Sequence, residues 1–221
     1  MKSAKNFHSS VSELNTFGEN ILNEDIKSEP MFFNCDLKYA LDKGGKITKN
    51  FLNALPDDWK NNPLVFDSRV HMLMTGWYPG IPGYHHDDVP RSDMLSGQPD
   101  YDNPKYRSEH ILGLINAEVC PTKFVVGECK MSCVPDGELI YRAWHSEIET
   151  LIEQNKVSVI TLADKKLYYF NCDAFHACSK AVSNGWRWFG RVSRNTDRVN
   201  EVTNEIRVNA QVYLEFPTEG W

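Results

Sequence analysis

The chain has 221 residues, enough for one domain, or one domain with extensions, and for a substantial buried core. Its net charge of −6 and the lack of any lysine- and arginine-rich run argue against a protein that grips nucleic acid by its phosphates. No window approaches the roughly 20 apolar residues of a membrane span. The polar stretch Met1–Asn15 does not resemble a signal peptide, so a cytoplasmic chain with its six cysteines mostly reduced is expected.

Residues 1–30 are polar, and one short helix near Val11–Leu22 is expected after a mobile start. Helical spacing follows at Asp36–Ala40 and at Ile47–Leu55, where Ile47, Phe51, Leu52 and Leu55 share a face. Pro56-Asp57-Asp58 stops the second of these. Beyond Pro63 the pattern turns to strands. They are expected at Arg69–Thr75, at Tyr84–Asp88 after a Gly/Pro bend, at Ile111–Val119, at Lys123–Val126 and at Glu138–Ala143. A polar loop fills 90–107, and a helix is expected at His145–Gln154. Val157–Leu162 and Leu167–Phe170 suggest a hairpin around Ala163-Asp164-Lys165, followed by strands at Phe175–Ser179 and Trp186–Ser193. Ile206–Glu215 alternates most clearly. Helices first and many short strands after imply a mainly β chain with flanking helices and a jelly-roll, or double-stranded β-helix, core. The expected division is a polar segment and helices over 1–62, packed on a core at 63–221, in one domain overall.

The chemistry concentrates in Pro82-Gly83-Tyr84-His85-His86-Asp87-Asp88. In an extended segment His85 and Asp87 point to one side, and His86 and Asp88 to the other. His176 lies ninety residues beyond His86. Two ligands on one strand and a distant histidine form a 2-His-1-carboxylate set, which binds Fe(II) and leaves open positions. His-x-Asp alone recurs by chance, and His176 alone reads as a core histidine satisfied by a carbonyl. The arginines shift that balance. Arg187 and Arg191 share one face of a strand with Phe189 between them. Two guanidiniums aimed into a barrel need anionic partners, and bidentate binding of a carboxylate suits arginine best. The alternative is that this face is solvated or paired with acidic side chains. Cys129, Cys133, Cys172 and Cys178 with His176 lack the paired spacing of a zinc site. No phosphate-binding loop or nucleophile elbow is present.

These residues resemble the Fe(II)/2-oxoglutarate-dependent dioxygenase superfamily, over roughly Arg69–Ser193. The resemblance implies a double-stranded β-helix and ferrous ligands His85, Asp87 and His176, the frame being favoured by the aromatic Tyr84 before His85. An arginine eleven residues after the distal histidine binds the far carboxylate of 2-oxoglutarate in two branches of the family, and Arg187 has that offset. Arg191 would assist, or would hold an anionic group of the substrate. Thr122 would donate a hydroxyl to the keto acid. The implied activity is hydroxylation of a small-molecule or amino-acid-like substrate by dioxygen, since branches that halogenate lack the carboxylate at Asp87. A cupin-like metal-binding protein or isomerase without redox turnover is the other reading, and the arginine clamp is what separates the two.

Overall fold

The computed structural model describes residues 4–92, 97–102, 104–134 and 138–215. The first elements are β1 (Lys5–Ser9), β2 (Ser12–Thr16), α1 (Asn23–Ser28), β3 (Met31–Phe33), α2 (Leu37–Lys43), α3 (Lys46–Asn53) and α4 (Asp57–Lys60). There follow β4 (Val65–Leu73), β5 (Arg91–Ser92), β6 (Gln98–Pro99), β7 (Glu109–Ile115), β8 (Thr122–Met131) and α5 (Ile140–Glu153). The chain ends through β9 (Ser158–Thr161), β10 (Lys166–Asn171), β11 (His176–Cys178), β12 (Gly185–Arg194) and β13 (Glu205–Arg207).

The protein is mainly β, built on two antiparallel sheets. One has the strand order β2-β10-β7-β12-β4; in the other β8 pairs with β1, β9 and β11. Alternation decides what each face meets. On β4 and β12 the residues Phe66, Val70, Trp188 and Val192 turn outward and join Ile47, Phe51, Leu52 and Leu55 of the α3 region in one core. A second core packs Tyr141, Trp144 and Ile148 of α5 against Val125, Cys129 and Met131 of β8. Between the sheets, Leu112 and Leu114 of β7 meet Phe124 of β8 and Phe170 of β10. The layers are therefore helices, sheet, sheet, helix.

Local chemistry sets the helix starts. Asp36 caps α2, its side chain accepting from Tyr39 N at 2.7 Å. The buried Glu29 carboxylate does the same for α3, accepting from Ile47 N at 2.6 Å and Thr48 Oγ1 at 2.6 Å. Gly45 lets it approach, because a Cβ there would overlap the carboxylate.

Four expectations are corrected. The helix near 11–22 is instead β2, an edge strand paired with β10; its polar residues face solvent, so no apolar face marked its type. Glu138–Ala143 does not form a strand, because Ile140, Tyr141, Trp144 and Ile148 are buried at helical spacing on α5. The hairpin at 157–170 does not form. β9 joins β8 and β10 joins β7, so the chain changes sheet there; turn residues mark a reversal without naming the partner. Ile206–Glu215 is strand only at β13, which pairs with β3, and Val208 is 95 % exposed. Part of the expected 90–107 loop, residues 93–96 and 103, lies outside the described residues; around it β5 pairs with β6. All six cysteines are free. Among the described residues no helix is long and apolar enough to cross a membrane.

Candidate metal centre

The segment holding His85 and Asp87 lies between two residues of positive φ, Gly83 at 100° and Asp88 at 50°. Gly83 is in a region that side chains rarely enter, so its identity is part of the turn. Between these bends the backbone touches β11 at one place. His85 N donates to His176 O at 3.0 Å, and His176 N to His85 O at 3.1 Å. That bridge sets the two imidazoles side by side, with ring centroids 4.6 Å apart. β11 is itself held by β8, with His176 opposite Phe124, whose ring stacks on it at 4.9 Å.

One ligand atom from each of His85, Asp87 and His176 lies within 4.8 Å of the others. The second ring nitrogens are already engaged: His85 Nδ1 with Gly83 O at 2.9 Å, and His176 Nδ1 with Ala174 O at 3.0 Å. A carbonyl only accepts, so both Nδ1 atoms donate to it, and Nε2 is the atom of each ring that a metal would take. Those Nε2 atoms approach Asp87, at 3.9 Å from Oδ1 for His85 and 3.2 Å from Oδ2 for His176. Burial, and then His176, lower His85 to about 4, which keeps it a neutral ligand. Burial would raise the Asp87 carboxyl, but the Arg191 guanidinium above all outweighs it and holds the group ionised, well below its usual range. Two imidazoles and one carboxylate match the donor chemistry of a non-haem ferrous site. Among the described residues no other group of three histidine, cysteine or acidic side chains is placed to hold a metal ion.

The two arginines differ. Arg187 is 2 % exposed, its Nη2 donates to Thr122 Oγ1 at 2.8 Å, and its Nε has no partner. Among the described residues no carboxylate pairs with it. Thr122 accepts that bond and keeps its own proton to donate. Arg191 is engaged with acids at both terminal nitrogens, its Nη2 meeting Asp67 at 3.1 Å and its Nη1 pairing with Asp87, while its Nε, like that of Arg187, has no partner. Arg198 joins the same network through Asp67 at 2.8 Å. Arg191 thus orients Asp87 rather than waiting for an anion.

The other His/Asp frame lies elsewhere. His86 is packed between Phe7 and Phe175, with its Nδ1 2.8 Å from Tyr101 Oη, on the α5 side of the segment. Asp88 accepts from Tyr106 at 3.4 Å and lies 3.9 Å from Arg198. Neither joins His176.

Asp67, Arg69, His71 and Arg198 also line the cavity and had not been singled out. A signal existed: Asp67, Arg69 and His71 occupy alternate positions of a strand whose other positions are apolar or small. β4 faces β12 with Asp67 opposite Arg191, Arg69 opposite Phe189 and His71 opposite Arg187. His71 Nε2 bonds Gln211 O at 3.1 Å, its Nδ1 is buried without a partner, and burial lowers its pKa to about 4. The cavity holds about 260 Å³ and shares Arg69, His71 and Pro79–Ile81 with an outer one of about 590 Å³.

No protein-family model matches the chain, and no curated protein does. Among solved structures, iron-bound HygX from Streptomyces hygroscopicus is 10 % identical with a TM-score of 0.38, over 86 % of this chain and 83 % of that one. The apo form of HygX is 12 % identical with a TM-score of 0.36 over the same shares. At TM-scores this low neither likeness carries weight, and the site stands on its own geometry.

Proposed function

We propose that the chain is a non-haem Fe(II)/2-oxoglutarate-dependent oxygenase that hydroxylates a small molecule, its two sheets forming a double-stranded β-helix. Residues 63–221 would carry the catalytic core with the first 62 packed on it. The six free cysteines fit a reducing, cytoplasmic setting.

One observation carries the reading: a His85–Asp87–His176 triad, its ligand atoms within 4.8 Å of one another, shares a cavity with a buried arginine that has no acidic partner among the described residues. A buried guanidinium without a counter-ion is costly, and a dicarboxylate cosubstrate supplies one. A metal-holding isomerase has no need of that clamp.

His85, Asp87 and His176 would hold the ion. Bound ferrous ion and 2-oxoglutarate supply oxidative decarboxylation by dioxygen, giving succinate and carbon dioxide while one oxygen atom enters a substrate C–H bond. Arg187 fixes the far carboxylate of the keto acid, and Thr122 holds Arg187 and offers its hydroxyl hydrogen to the same group. Arg191 keeps Asp87 ionised and aimed. Phe189, Leu112 and Ile81 exclude water around them.

Anaerobic titration with Fe(II) and 2-oxoglutarate tests this. A weak visible charge-transfer band is expected from wild-type protein and not from His176→Ala. Arg187→Ala should need at least about tenfold more keto acid, the loss of a charge-assisted contact. A folded wild-type protein that gives no band overturns the reading.

A further inference from the structure

Two of the guanidiniums that line the cavity are already neutralised. Arg191 is held by Asp67 and Asp87, and Arg198 by Asp67. Arg187 is assigned above to the cosubstrate. Arg69 remains. Its Nη1 donates to Phe32 O at 2.9 Å and Ser68 O at 2.7 Å, both neutral carbonyls. Among the described residues no carboxylate pairs with Arg69, and its Nε and Nη2 make no hydrogen bond.

Its setting is not that of a solvated surface arginine. Arg69 is half-buried on the strand face turned toward the triad, opposite Phe189, and it lines both the inner and the outer cavity. Burial lowers its pKa; Asp67 and, more weakly, Glu205 work against that, while Arg207 and Arg191 add to it. Arg69, Arg198 and Arg207 gather around the Phe33 ring, at 5.6, 5.9 and 3.6 Å from its centroid. Arg198 is paired with Asp67 and Arg207 with Glu205, so of these three Arg69 is the guanidinium that no carboxylate pairs with among the described residues. Phe33, Leu112, Phe189 and Ile81 supply an apolar wall to the same cavity, and the Asp67 carboxylate beside them is neutralised by Arg191 and Arg198. An anion with an apolar body complements such a wall, and the open Nε/Nη2 edge of the planar guanidinium suits a carboxylate. His71, two residues along the same face, adds a buried Nδ1 acceptor without a partner, which an amino or hydroxyl group on the same molecule would fill.

We propose that Arg69 docks the acidic group of the substrate, which makes that substrate a small organic acid. The assignment rests on the oxygenase reading of this cavity.

The test uses the anaerobic Fe(II)·2-oxoglutarate complex and paired probes: L-phenylalanine, L-leucine and phenylacetate, each against its primary amide. Iron broadens the proton signals of a probe bound beside it. Wild-type protein should broaden the acids at concentrations at least tenfold below those needed for the amides. Arg69→Gln should abolish that preference, and Arg69→Lys should keep part of it, with the charge-transfer band unchanged in both. A normal band with acids and amides equivalent in wild-type protein, or with acid binding undiminished in Arg69→Gln, overturns the acid-docking role and leaves the oxygenase reading intact. Absence of the band in wild-type protein overturns both.

Discussion

His110 shows how a single buried imidazole ties stability to pH. It is fully enclosed, with Nδ1 2.8 Å from Ser193 Oγ and Nε2 3.0 Å from Ser108 Oγ. Burial, then the positive charge of Arg191, lower its pKa to about 3. In the unfolded chain it takes up a proton near about 6.5. Between those values the unfolded state binds more protons, so the folded state loses stability as pH falls through that window. His110→Asn should flatten the pH dependence of the unfolding free energy there by up to about 1.4 kcal/mol per pH unit. Urea denaturation at a series of pH values measures it, and an unchanged slope would show that His110 is protonated in the fold. Arg191 and Asp67 are coupled differently. They belong to one buried network in which Asp67 also holds Arg198 and Arg191 also holds Asp87, so removing either unbalances its charge, at a cost of up to about 3–5 kcal/mol.

β12 joins the two sides of the molecule. Its inner face carries Arg187, Phe189 and Arg191 into the cavity, while Trp188 and Val192 on its outer face enter the helix-covered core. The Trp188 indole lies across Gly190, where a Cβ would overlap the ring. Trp188 is fully buried against Phe17 and Phe51 and has no room to retreat. Gly190→Val should therefore destabilise the protein by about 1–3 kcal/mol through overpacking. Because the strand would shift as a unit, affinity for 2-oxoglutarate should weaken with it. Thermal denaturation and the anaerobic titration read the two effects. A variant as stable as the parent would mean that Trp188 rotates freely. The segment after β13 behaves in the opposite way. It is tied to the body by β13 on β3, by Gln211 O to His71 and by Tyr213 to Tyr78, it walls the outer cavity, and its one core contact is Val212 against the small cluster of Leu73, Val119, Cys120 and Ala181.

Across the molecule, the candidate site lies where both sheets and the 83–88 segment meet. Its ligands come from positions ninety residues apart, so a metal bound there ties together parts of the chain that separate on unfolding. Binding to the folded state alone stabilises it by RT ln(1 + [L]/Kd), about 2.7 kcal/mol at a hundredfold excess over Kd. For a chain of this size that corresponds to a rise in Tm of about 5–10 °C. Fe(II), or a redox-inert divalent stand-in, should produce it in wild-type protein; chelation should reverse it, and His176→Ala should not show it. An equal rise in His176→Ala would place the binding elsewhere.

Much of the site was legible in order along the chain. His-x-Asp, the distal His176 and the arginine at its offset are local patterns, and residues two apart on an extended segment must face the same way. The helices over 37–43 and 46–53 were legible for the same reason, since their apolar spacing and the Asp36 cap act within a few residues. Pairing was not. β9 and β10 entering different sheets, β2 closing an edge, and 208–212 remaining outside the sheets depend on which distant strand offers free hydrogen-bonding groups. Nor could spacing assign partners to the arginines. Arg187 and Arg191 look alike in sequence; only the fold sets Asp67 and Asp87 beside one and leaves the other without a counter-ion among the described residues. Local stereochemistry determines direction and periodicity, whereas partners are chosen by contacts between residues far apart in the chain.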